Sequence, residues 1–168
     1  DRPDSPGCAL GVIKDGKLIY KKGYGMANLE HDIPISPATV FNIGSTSNQF
    51  TAMSILLLAK QGKLLLDDDV RKYLPEAPAY QATITIRQLV HHTSGIRDRN
   101  DISSLAGRDF DEVYREDDII ELIARQKELN FKPGARHMHS YSGYALLAAI
   151  VKRVSGKSLR QFANENIF

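Results

Sequence analysis

The sequence predicts an α+β fold, and three observations carry that expectation. Near the N-terminus, two runs rich in Val, Ile and Tyr flank Asp15-Gly16, the pattern of a β-hairpin. From about Ser47 onward, apolar residues recur at helical spacing in one segment after another. Those segments are bounded by capping residues and Gly stops rather than by further strand signals, so one small strand region precedes a run of helices.

The hairpin is "CALGVIKDGKLIYKKGYG", and its tight turn needs positive φ at two central residues, which Asp-Gly tolerates. Tyr24 to Ala27 offers a third strand. So small a sheet leaves an open edge and little to cover its faces. It reads as a piece of something larger, or as a chain that borrows strands from a partner. The stretch to about Val40 is loop-like, punctuated by Pro34 and Pro37. A helix follows over about Ser47 to Gln61. Its residues Phe50, Met53, Ile55, Leu56, Leu57 and Ala59 wrap most of the cylinder, which predicts deep burial, and Gly62 stops it as a left-handed cap.

In "LLLDDDVRKYL" the three aspartates could suggest a metal cluster. Carboxylates at a helix start also satisfy free N–H groups and complement the dipole, and that is the reading preferred here. "ATITIRQLVHHTSG" is a short helix opened by Thr85 and closed by a Thr-Ser-Gly turn. "REDDIIELIARQK" is amphipathic, with acids in its first turn and Arg125 and Lys127 in its last. "SGYALLAAIVKRVSGKS" is a largely buried helix from about Ser142 to Gly156, and "SLRQFANENIF" starts a last short one.

With 168 residues, 42% hydrophobic and 25% charged, the chain has the size and composition of a single domain with a real core. The net charge of +2 comes from interleaved acids and bases with no basic stripe, which argues against a nucleic-acid partner. No apolar run approaches a membrane span, and Ile55 to Ala59 is part of a helix pattern. The N-terminal "DRPDSPG" has no apolar leader segment, and Cys8 is alone, so no intrachain disulfide forms.

Ser45 and Asn48 stand three residues apart where the first helix begins, a spacing that puts both on one side. A hydroxyl there gains from the helix's positive end as it ionises. Gly-Ser-Thr-Ser before a helix is also ordinary capping and turn text, so these four residues do not decide the matter alone.

The surrounding text adds more. "FNIGSTSNQFTAMSILLLAKQGKLLLDDDVRKYLPE", "ITIRQLVHHTSGIRD", "LNFKPG" and "SGYALLAAIVKRVSGKSL" occur in this order. Together they closely resemble the β-lactamase-related serine hydrolases: class C β-lactamases, D-alanyl-D-alanine carboxypeptidases and related esterases. The resemblance runs from "PGCALGVIKDGK" to "NIF". It implies a β-lactamase/transpeptidase-like α+β fold, with residues 1–168 as one partial domain. Strands of the sheet fall at about 8–30 and a mainly helical region over 41–168, without the family's C-terminal strands. It implies acyl transfer through an acyl-serine on β-lactam, D-Ala peptide or ester substrates, no cofactor, and a periplasmic or secreted location.

Three motifs carry that chemistry in the family: S-x-x-K, Y-x-N, and a Lys- or His-led triplet ending in Gly on a late strand. S-x-x-K falls on Ser45-Thr46-Ser47-Asn48, so the serine is present and the lysine is not. Y-x-N falls just before Gly143-Tyr144, where tyrosine has become His139 and asparagine Tyr141. The third motif is missing. His92-Thr93-Ser94-Gly95 resembles it in letters but matches a different, non-catalytic loop, its Gly serving a turn. The resemblance thus assigns the catalytic positions to Ser45, Asn48, His139 and Tyr141.

An amide at position 48 can hold a hydroxyl but cannot act as a base. Loss of the base from a coupled nucleophile unit removes most of the rate, and loss of oxyanion donors on the late strand costs about another two to three powers of ten. Histidine, however, is a base near neutral pH without special tuning. A Ser45–His139 dyad with Tyr141 as acid or donor is therefore one reading, acting on a small-molecule or peptide acyl substrate. A non-catalytic binding scaffold is the second. A metal site drawing on His91, His92, His137 and His139 is the third, with no ligand count to define it. A second copy of the chain or another partner could supply the missing strands.

Overall fold

The computed structural model describes residues 4–108 and 114–168, so the first three residues of the N-terminal segment lie outside the described part. The chain forms two compact units, Asp1–Gly44 and Ser45–Phe168.

In the first unit, β1 (Cys8–Lys14) pairs antiparallel with β2 (Lys17–Tyr24). Asp15 and Gly16 take φ of 49° and 73° between them, the left-handed pair that a two-residue turn matched to strand twist demands. Val12 faces Tyr20 and Ile13 faces Leu18, so Ile19 is an extra residue and the ribbon carries a bulge. Every residue of β1 is exposed, and Leu10, Val12, Ile13, Leu18 and Ile19 present apolar side chains to solvent. The expectation of a sheet with uncovered faces therefore holds.

Two expectations for this region are corrected. The predicted third strand does not join the hairpin: β3 (Met26–Asn28) pairs instead with β4 (Ile33–Pro34) in a second ribbon. Residues 33–34 are thus not loop, since a proline without an N–H is tolerated in so short an edge strand. Gly23 is required where this ribbon passes, because a Cβ there would lie 2.0 Å from the carbonyl oxygen of Ile35.

The second unit is helical. A 3₁₀ turn, Gly44–Ser47, leads into α1 (Asn48–Lys60), so Ser45 sits on the tighter turn rather than on the α-helix itself. Gly62, at φ 70°, and Lys63 return N–H groups to Ala59 and Leu58 and close α1 as expected. Deep burial of α1 on all sides is not observed. Ile55 and Leu58 are fully buried, whereas Met53 and Leu56 are 46% and 44% exposed, because the helix has more apolar faces than α5 and α6 cover.

After α1, Asp69 caps a 3₁₀ turn, Val70–Lys72, by accepting from the Arg71 N–H, in line with the capping reading of the aspartates. Its neighbour Asp68 accepts from the Leu65 N–H, Lys72 and the Tyr73 hydroxyl, while Asp67 forms a two-pronged pair with Arg87. Helix α2 (Ile86–Val90) opens with a reciprocal capping box between Thr85 and Gln88. Helix α3 (Arg99–Leu105), which the periodicity did not predict, is started by the Asp98 carboxylate accepting from the Asn100 N–H. Helix α4 (Glu116–Ala124) has the expected acids in its first turn. It ends before Lys127, so its last turn holds no base.

The long helix α5 (Tyr141–Ser155) is the hub, and α1, α2, α4 and α6 (Leu159–Asn166) all pack on it. Leu146, Leu147, Ile150 and Val151 from α5 meet Ile55, Leu58, Leu89 and Ile123 in one hydrophobic core. Each such fully buried side chain contributes about 1.5–3 kcal/mol. Among the described residues, no helix is long and apolar enough to cross a membrane.

Candidate active site

Ser45 is exposed on the 3₁₀ turn and Asn48, the first residue of α1, is half-buried. Among the described residues, no hydrogen bond joins either side chain to a neighbour. His139 is exposed, and Tyr141 opens α5 with 42% of its surface in solvent.

What surrounds His139 is a cluster of rings. Its imidazole stacks on that of His92 with centroids 4.6 Å apart and planes at 30°. Tyr144 lies against His92 at 4.9 Å and 31°, and the edge of His137 meets His92 at 5.8 Å. Tyr141 completes the group, edge-on to His139 at 4.9 Å. His91, the C-cap of α2, is exposed and makes no ring contact with the others among the described residues. The structure thus brings His92, His137, His139 and Tyr141 together and leaves His91 apart.

The segment carrying His139 and Tyr141 is irregular until α5 begins, and it is tied down from the loop after α2. The Met138 N–H donates to the His92 carbonyl at 2.9 Å, and the Ser140 N–H donates to His92 Nδ1 at 3.2 Å. The Tyr141 N–H donates to Asp98 Oδ2 at 2.5 Å. Ser140 is the N-cap of α5, its hydroxyl accepting from the Gly143 N–H at 3.3 Å. Farther up the same strand of chain, the Gly134 N–H donates to the Thr93 carbonyl, and Gly95, at φ 76°, lies against Phe131.

The electrostatics follow from this packing. Burial pushes the His92 imidazole below its ordinary value, the nearby His139 and His137 add to that, and Asp98 opposes it. The lowered value favours the neutral imidazole, the form whose Nδ1 can accept from Ser140. Among the described residues, no group of three or more His, Cys, Asp or Glu side chains is arranged to hold a metal ion. His92 Nδ1 is already engaged by the Ser140 N–H.

Comparison with known proteins fixes the family. The Beta-lactamase family model matches residues 1–168. The chain belongs to the beta-lactamase family. Among similar members, Protein flp of Staphylococcus aureus (strain MRSA252) is 34% identical over 164 residues, covering 94% of this chain and 32% of that protein. Penicillin-binding protein 4* of Bacillus subtilis (strain 168) is 34% identical over 158 residues, covering 94% and 34%. The octameric penicillin-binding protein homologue of Pyrococcus abyssi superposes with a TM-score of 0.79 at 32% identity, covering 96% of this chain and 38% of that one. The chain spans about a third of the length of the curated relatives it matches. Its small hairpin sheet and helical unit are therefore those of a beta-lactamase-family fold, matched over part of the relatives' length.

Sequence reasoning missed one residue in this neighbourhood and gave another a different part. Asp98 lay outside every motif; its signal was the Asp-x-Asn pattern of a cap before an unrecognised helix. His92 was named as part of a non-catalytic loop and as a metal candidate, and only its position in a ring stack shows what its side chain touches.

Proposed function

We propose that this beta-lactamase-family chain carries an acyl-transfer site in which Ser45 is the nucleophile and His139 the base. The observation that supports it is the family match across the whole chain with a serine at the S-x-x-K position. The substituted tyrosine position, in turn, holds a side chain able to take a proton. In the first step Ser45 Oγ forms a bond to the acyl carbon of a β-lactam, D-Ala peptide or ester as its proton passes to the His139 imidazole. The bond to the leaving nitrogen or oxygen then breaks, and that atom takes the proton from His139. Water then adds to the acyl carbon as its proton passes to His139, the bond to Ser45 Oγ breaks, and Oγ takes that proton back. Asn48 contributes hydrogen bonds only, so turnover is slow by the family's standard.

A second reading, a non-catalytic binding scaffold, is favoured by one observation. The Ser45 hydroxyl has no hydrogen-bonded partner to deprotonate it among the described residues. Hydrolysis of an activated ester by the intact protein separates the two. Turnover lost in both Ser45→Ala and His139→Ala supports the dyad; turnover unchanged in either variant removes it. The uncovered faces of the hairpin support completion of the sheet by strands from a second copy or another partner. Native mass measurement reads that directly.

A further inference from the structure

His139 is exposed on an irregular segment, yet a general base must be held within a fraction of an ångström of its working position. Three features show what holds it. The first is a backbone anomaly at His92. Its N–H donates to the Leu89 carbonyl at 3.2 Å and the next N–H, of Thr93, to Gln88 at 2.8 Å, the paired closure of a helix C-terminus. The residue in the middle of that closure is left-handed and usually glycine. Here it is a histidine at φ 55°, a conformation that costs a residue bearing a side chain.

The second feature is that both neighbours of His139 are bonded to this one residue. Met138 donates to the His92 carbonyl at 2.9 Å and Ser140 to His92 Nδ1 at 3.2 Å. The third is the set of ring contacts. His92 meets both His139 and Tyr144, with planes tilted about equally from both, and the Tyr144 hydroxyl is itself fixed to the Val90 carbonyl at 3.1 Å.

We infer that His92 is a positioning residue: it pins the backbone on both sides of His139 and supplies the surface on which the His139 imidazole lies. The catalytic consequence rests on the acyl-transfer reading above; the placement rests on geometry alone. The groups facing His92 are His137 and His139 from the segment before α5, Tyr144 from α5, and Asp98 from the start of α3. In its neutral state His92 accepts the Ser140 bond. A proton on Nδ1 would turn that acceptor into a donor facing another donor.

The test uses two variants of the intact protein and two readouts. His92→Asn suits the left-handed position, so the fold is kept, but removes the ring; His92→Phe keeps a ring for the stack and removes Nδ1. In His92→Asn the His139 ring protons should lose the shielding of a stacked neighbour in the NMR spectrum. Ester turnover should fall in kcat by about 10²-fold with KM nearly unchanged. His92→Phe should retain the shielding, lose protection of the Ser140 amide from hydrogen exchange, and show an intermediate kcat. Unchanged His139 resonances in His92→Asn overturn the placement. Shifted resonances with unchanged kcat overturn the positioning role. A wild-type protein without Ser45-dependent turnover defeats the acyl-transfer reading instead, and the resonances still decide the placement.

Discussion

The Asp98 carboxylate joins two helices that start 42 residues apart in sequence: one oxygen caps α3 through the Asn100 N–H, and the other accepts from the Tyr141 N–H at the head of α5. Asp98 is only 6% exposed, and both of its bonds are charge-assisted. Asp98→Ala removes a cap, a step that costs about 0.5–2 kcal/mol, and leaves the part-buried Tyr141 N–H without its partner. Denaturant unfolding should therefore show a loss of about 2–3 kcal/mol. Because Tyr141 is bonded to the same carboxylate, ester turnover should fall as well. Wild-type stability in Asp98→Ala would show that the α3–α5 link contributes little.

The pH dependence of stability follows from His92. Its folded-state value is depressed by burial first and by His139 and His137 next, so between the ordinary histidine value and that lower one the unfolded chain binds more protons. Stability is therefore full above about pH 6.5 and falls as the pH drops through that value toward the depressed one. Thermal midpoints measured from pH 7.5 down to pH 5 should decline, and His92→Asn should flatten that part of the curve. Asp68 acts in a separate window. Its value is held down to about 2 by the Tyr73 hydroxyl, the Leu65 N–H and Lys72, so its contribution is present above about pH 3.9 and is lost as the pH falls toward 2.

Gly95 is a position where one methyl group should act at a distance. Its φ is 76°, and a Cβ would stand 2.2 Å from the Phe131 carbonyl oxygen. Gly95→Ala must push the 130–134 segment away from the loop that holds His92, at a cost above about 1 kcal/mol. A calorimetric scan of Gly95→Ala against wild type checks this. A variant within a few tenths of wild type would contradict the close approach.

Asn48→Lys restores the residue type that the family motif has at this position. A positioned base is worth about 10²–10⁴-fold in rate. Ester turnover should rise by that order in Asn48→Lys, and further in combination with His139→Tyr and Tyr141→Asn. A fall in turnover on introducing the lysine would mean that Asn48 already serves the site in a way the amide alone can.

Local chemistry was legible in the sequence wherever it acts within a few residues. Asp15-Gly16 gave the turn, Thr85 the start of α2, and Gly62 the end of α1. What lay hidden depends on separation in sequence. The β3–β4 ribbon was obscured because its second strand is two residues long and contains Pro34. Helix α3 has few apolar residues and no clear period, so only its Asp98 cap announces it. The end of α4 was placed too late because Arg125 and Lys127 suggested a dipole-complementing turn that the helix does not reach. The ties from His92 and Asp98 to residues 138–141 span more than forty positions, and no periodicity encodes such contacts.

The most direct test of the account is covalent labelling of the intact protein with a fluorophosphonate, read by mass spectrometry of its peptides. The account predicts one adduct, on the peptide containing Ser45, absent from Ser45→Ala and slowed in His139→Ala. An unlabelled protein, or a label placed on any other serine, would contradict it.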